Sequence, residues 1–143
     1  MWQVPFILLA AVRVQIAHAE TLTEVITPED HECMNALKID INKLATFFDK
    51  QYKVKLDDPV LNEYAICWHT RMGMMDENRN FNWEKVVQLP MIMMPLFRAG
   101  ATLSQQEASN FVTVCKQTID LKAENVSAQL NNCIVDQILK HIM

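Results

Sequence analysis

Cysteine stands at positions 33, 67, 115 and 133, and each of the four falls on an apolar helical stripe. Cys33 is followed at helical spacing by Leu37, Ile41, Leu44 and Phe48. Cys67 shares a face with Val60, Tyr64 and Arg71 or Met72, Cys115 with Ala108, Phe111, Val112 and Ile119, and Cys133 with Val126, Leu130, Ile134 and Ile138. A redox or surface thiol has no need of an apolar face, whereas a bridge between packed helices does. There is no Cys-x-x-Cys pair. In an oxidising compartment an even count points to two disulfides, and spacing does not choose among the three pairings.

The compartment is suggested by the first stretch, MWQVPFILLAAVRVQIAHAE. Phe6 to Val12 is an apolar core and Ala17-His18-Ala19 a small-x-small cleavage pattern, which reads as a signal peptide over residues 1–19. A membrane anchor needs about 20 apolar residues, and Arg13 breaks the run too early. The mature domain is then residues 20–143, long enough for one core. Loss of Arg13 makes it more acidic than the −4 of the whole chain, the wrong sign for nucleic acid. No later run suits stable membrane insertion.

Cap signals divide the chain into five to seven short helices. Thr27-Pro28-Glu29-Asp30 opens the first, and Asp40 marks a point where it restarts after a bend or continues. The polar stretch 51–58 connects to Asp58-Pro59, which opens a helix ending near Gly73. Asn82 caps a helix holding Val86, Leu89 and Met93, where Pro90 and Pro95 force a kink or an early end. Gly100 is a stop, and Ser104-Gln105-Gln106-Glu107 is a capping box. The last helix spans roughly 123–141. With only two glycines and no β-branched alternation, the fold class is all-α.

Asp76, Asn78 and Asn80 imitate the start of a calcium loop. Phe81 stands where that loop needs glycine and Val87 where it needs a bidentate glutamate, so a solvated turn is expected and no metal. His31 near Cys33 and His69 near Cys67 lack the second half of a zinc spacing. No catalytic motif or cofactor-binding loop is present, so no enzyme and no cofactor are expected. Asn125-Val126-Ser127 is a glycosylation acceptor pattern at Asn125. Met72, Met74 and Met75 precede the turn, and Met91, Met93 and Met94 follow it. Methionine fills irregular cores and also lines adaptable binding surfaces, and two clusters around one turn favour an apolar cavity.

These residues resemble the insect odorant-binding proteins. The likeness is carried by EYAICWHTRMGMMDENRNFNWEKV, residues 63–86, and by the cysteine order over the mature chain. Cys67 takes the family's third cysteine position, Cys115 the fourth and Cys133 the sixth; Glu63 and Glu124 stand at the second and fifth. Those two are bonded partners in the six-cysteine pattern, so their joint loss resembles the four-cysteine, minus-C branch. Departures are the 47 residues between Cys67 and Cys115, the two prolines within them, and Arg79 where a turn glycine is common.

The resemblance implies a compact bundle of about six helices around an apolar cavity, with pairing Cys33–Cys67 and Cys115–Cys133. It implies a secreted carrier of a small hydrophobic ligand (odorant, pheromone or lipid-like), with a chemosensory receptor or a second copy of the chain as further partners. The ligand-lining set expected on inner faces is Met72, Met75, Val87, Met91, Met94, Phe111, Val112 and Ile134. His69 is expected either to present a polar group to the ligand, with its charging near pH 6 weakening apolar binding, or to lie at the surface. The rival reading is a salivary, venom or reproductive-fluid protein acting through protein contacts. A saposin-like membrane-active protein fits the cysteine spacing less well. Peptide mapping without reduction is expected to join Cys33 to Cys67 and Cys115 to Cys133; a peptide joining Cys33 to Cys115 would remove the basis of the resemblance.

Overall fold

The computed structural model describes residues 26–143; the expected signal peptide lies outside them. The described residues fall into two units, 26–46 and 47–143. In the first, α1 (Pro28–Leu37) and α2 (Ile41–Thr46) are separate helices. Thr27 caps α1 in a full capping box: its hydroxyl accepts from the Asp30 N–H at 3.3 Å, and the Asp30 carboxylate accepts from the Thr27 N–H at 2.8 Å. Lys38, at φ 56°, ends α1 in the left-handed region. The Asp40 carboxylate then accepts from the Lys43 N–H at 2.8 Å, so the restart at Asp40 is realised.

The second unit holds α3 (Pro59–Arg71), α4 (Trp83–Val86), α5 (Gln88–Phe97), α6 (Gln105–Thr118) and α7 (Val126–Ile142). The described residues thus hold six helices and the single turn α4, with no strand element among them. Helix α7 packs against α3, α5 and α6, and α5 also packs against α6. The core gathers Met74, Val86, Leu89, Met93, Met94, Leu103, Val112, Cys115, Leu130, Ile134, Val135 and Ile138. Cys115 on α6 is bonded to Cys133 on α7, with Cα atoms 5.7 Å apart. Cys33 and Cys67 are disulfide-bonded as well, and no described cysteine is free.

Local sequence explains each helix end. Asp58 caps α3 by accepting from the Val60 and Leu61 N–H groups at 3.0 and 3.2 Å. At the other end Gly73 takes φ 76°, its N–H bonds the Thr70 carbonyl, and the Met74 N–H bonds the His69 carbonyl at 2.8 Å. These paired bonds form a Schellman close, which needs a left-handed residue and so suits glycine. Ser104 and Glu107 complete the expected capping box of α6. Helix α7 begins at Val126, three residues later than the apolar pattern implied.

Two expectations are corrected by helix phase. On α3 the buried residues are Leu61, Tyr64 and His69, while Val60 is exposed. Around the prolines the break comes at Val87, before either of them. Pro90 then falls in the first turn of α5, where its missing N–H has no intrahelical role. Pro95 is carried inside α5. Its missing N–H would have served the carbonyl of Met91, on the exposed side where water can replace it.

The connection after α2 is more than a spacer. Asn132 of α7 grips Val54 from both sides: the Val54 N–H donates to its Oδ1 and its Nδ2 donates to the Val54 carbonyl, each at 2.8 Å. Asn131 Nδ2 donates to the Tyr52 carbonyl at 3.1 Å, and Asn125 Nδ2 to the Leu56 carbonyl at 3.0 Å. The backbone at Tyr52, Val54 and Leu56 is thus held by amides of α7 and of its N-cap residue. Asn132→Ala is expected to lower unfolding free energy in urea by about 2 kcal/mol, because it leaves both polar groups of buried Val54 unpaired. Gln106→Ala, on an exposed helix face, should change it by less than about 0.5 kcal/mol.

Candidate ligand-binding site

The turn 76–82 sets the geometry between the two methionine clusters. Asp76 Oδ1 accepts from the N–H groups of Asn78 and Asn80, both at 2.9 Å, so its carboxylate closes the turn itself. Arg79 takes φ 63°, a left-handed position that favours glycine. Residues 76–80 are exposed, and Met75 and Phe81 pair across the turn. No group of three or more His, Cys, Asp or Glu side chains among the described residues is placed to hold a metal.

Below this turn the methionines go inward. Met74, Met93 and Met94 belong to the central cluster, and Met72 packs against it. Of the expected lining residues, Met94, Val112 and Ile134 are in this cluster, and Met72, Val87 and Phe111 pack on it. Met75 is buried beneath the turn but outside the cluster. Met91 points to solvent, 40 % exposed. The structure therefore brings six of the expected residues to one apolar body and leaves Met91 apart. Met74 and Met93 were not among the expected lining residues, although Met93 shares the inward stripe of Val86 and Leu89. Met91 lies two positions from Leu89 and from Met93, on the opposite side of α5.

His69 is 4 % exposed, which rules out a surface position. Its ring meets Trp68 at 5.4 Å and Phe81 at 5.5 Å, both edge-on. Phe81 continues to Trp83 at 5.1 Å, and Lys116 Nζ lies 5.5 Å from the Trp83 ring centre. Trp68, Phe81 and Trp83 all pack on the methionine cluster, so His69 is joined to it through its neighbours. Its Nδ1 is buried without a hydrogen-bond partner among the described residues. Burial disfavours the charged ring and lowers its pKa to about 4. Charging near pH 6 is thus not a property of this folded site.

Asn125, the acceptor of the glycosylation pattern, is half-buried at the start of α7. Its Nδ2 is engaged by the Leu56 carbonyl, and its Oδ1 accepts from Gln129 Nε2 at 2.6 Å. Ser127 of the same pattern is buried, and its Oγ has no partner among the described residues.

The methionine-rich cluster is buried core, and the described cysteines are all oxidised. A protein-family model described as the PBP/GOBP family matches residues 17–137. The chain belongs to the PBP/GOBP family. This is the insect odorant-binding protein family, and the four-cysteine set of this member fits its minus-C type. PBP/GOBP proteins are small-ligand carriers rather than enzymes. No curated protein and no solved structure gave a match. No described helix of this PBP/GOBP chain is long and apolar enough to cross a membrane.

The buried histidine gives this member a pH signature. His69 is neutral in the folded chain at neutral pH, but the unfolded chain takes up its proton near 6.5 and the folded chain only near 4. Stability is expected to fall as pH drops through that window, by up to about 3 kcal/mol. Urea unfolding of the wild type and of His69→Leu from pH 7 to pH 4 tests this: the variant should lose most of that slope. Equal slopes would place the pH dependence elsewhere.

Proposed function

We propose that this protein is a secreted carrier that takes a small hydrophobic ligand of the odorant, pheromone or lipid kind among the side chains of its methionine cluster. The observation that carries the reading is the convergence of Met72, Met74, Met93 and Met94 on one apolar body with Phe111, Val112 and Ile134. Unbranched, polarisable side chains re-pack around guests of different shape at low cost. The bridge between Cys115 and Cys133 closes a loop of 18 residues and contributes roughly 3 kcal/mol by chain entropy, which offsets part of the cost of opening a space.

His69 gives the reading a chemical direction. A buried Nδ1 without a partner favours a guest with one hydrogen-bonding group and an apolar body, such as a long-chain alcohol or ester. Secretion and a role in chemosensory delivery are supported by family membership and by the leader-like pattern of residues 1–19.

Displacement of a fluorescent apolar probe by alcohols, esters and fatty acids tests the proposal. Met72→Trp is expected to weaken probe binding at least roughly tenfold by filling space beside the cluster, whereas Met91→Ala should leave it unchanged. No saturable probe binding by the wild type would favour action through protein contacts instead.

A further inference from the structure

The acceptor pattern Asn125-Val126-Ser127 is the one Asn-x-Ser or Asn-x-Thr in the chain, and it falls where the backbone enters α7. Such a pattern ordinarily marks a surface loop. Here the fold engages it. Asn125 is the N-cap residue of α7, yet its side chain does not cap the helix. Its Nδ2 donates to the carbonyl of Leu56, 69 positions earlier, at 3.0 Å. Its Oδ1 accepts from Gln129 Nε2 at 2.6 Å, and Gln129 Oε1 accepts from the Asp120 N–H at 2.9 Å. The carboxamide is thus one link between the backbone at 56, the first turn of α7 and the turn after α6.

Ser127 is the second residue of α7 and is 1 % exposed, between buried Val126 and Ala128. A helical serine can return its hydroxyl to a carbonyl of the preceding turn or point it to solvent. This one does neither: its Oγ is buried and bonds nothing among the described residues. A buried hydroxyl without a partner costs the fold stability. The folded state therefore draws no hydrogen bond from the one hydroxyl that the acceptor pattern requires.

Glycan transfer joins Asn Nδ2 to the anomeric carbon of an oligosaccharide carried on a lipid pyrophosphate. The sugar–phosphate bond breaks, the lipid pyrophosphate leaves, and Nδ2 gives up one proton. The transferring enzyme has to reach the carboxamide and the hydroxyl together. In the folded chain the first is held by Leu56 and Gln129 and the second lies beneath the surface. An unfolded chain presents both.

We propose that Asn125 is a glycosylation site open only before folding: chains that fold late receive an oligosaccharide there, and the folded protein is closed to the transferase. The inference rests on the secreted reading, because the donor lipid belongs to the secretory pathway. The bridges set how long the window lasts. Removing native disulfides from a small secreted domain often abolishes its folding, and Cys133, bonded to Cys115, lies on the same helix as Ser127.

Translation in the presence of microsomal membranes tests the site. A strong heterologous leader replaces residues 1–19, so that entry does not depend on the native stretch, and protection from added protease reports entry. The chain with its own first 19 residues, run in parallel, tests the secreted reading separately. In oxidising buffer most protected chains should be unmodified. With dithiothreitol present during translation, most should carry a glycan that peptide N-glycosidase removes. Asn125→Gln and Ser127→Ala should each abolish that modification. Equal modification with and without reductant, no modification under reductant, or modification that survives either substitution would overturn the assignment.

Discussion

Burial of one face of α7 is the contact on which the second unit depends. Leu130, Ile134, Val135 and Ile138 are fully buried there, and the helix meets α3, α5 and α6 through them. Each such side chain is worth on the order of 1.5–3 kcal/mol when removed from water. The bridge from Cys133 fixes α6 against this helix, and Asn131 and Asn132 hold the 52–54 backbone along it. With α7 placed, the methionines of α5 and of the α3 end have one apolar body to join. A single helix thus aligns the bridge, the connection and the candidate site.

What could be read from the sequence was mostly local. Thr27, Asp58, Asn82 and Ser104 cap helices because a cap needs only the next three residues, and Gly73 and Gly100 end segments because φ near 76° suits glycine. The acidic turn was legible for the same reason, since Asp76 bonds backbone two and four residues away. Phase was less secure in short helices. Val60 on α3 and Met91 on α5 are exposed, whereas the expected Leu89, Met93 and Met94 are buried.

Tertiary features were not legible. Burial of His69 depends on Trp68 and Phe81 closing on its ring, and nothing in its neighbours announces that. The grip of Asn132 on Val54 spans 78 residues, and asparagines in a helix ordinarily suggest only a solvated face. A cleft lined by Pro59, Glu63 and Ile66 of α3 and by Glu124 and Asn125 before α7 joins residues that become neighbours only after folding. Polar positions carried the surprises, because pattern reading assigns them to water by default.

The central claim is that the methionine cluster yields to an apolar guest. Methyl NMR of protein labelled at its methionine methyl carbons, titrated with 1-dodecanol, tests it most directly. The account predicts saturable shifts at Met72, Met74, Met93 and Met94, with the exposed Met91 and Met143 unmoved. Shifts confined to Met91 and Met143, or no saturable shift at any methionine, would contradict it.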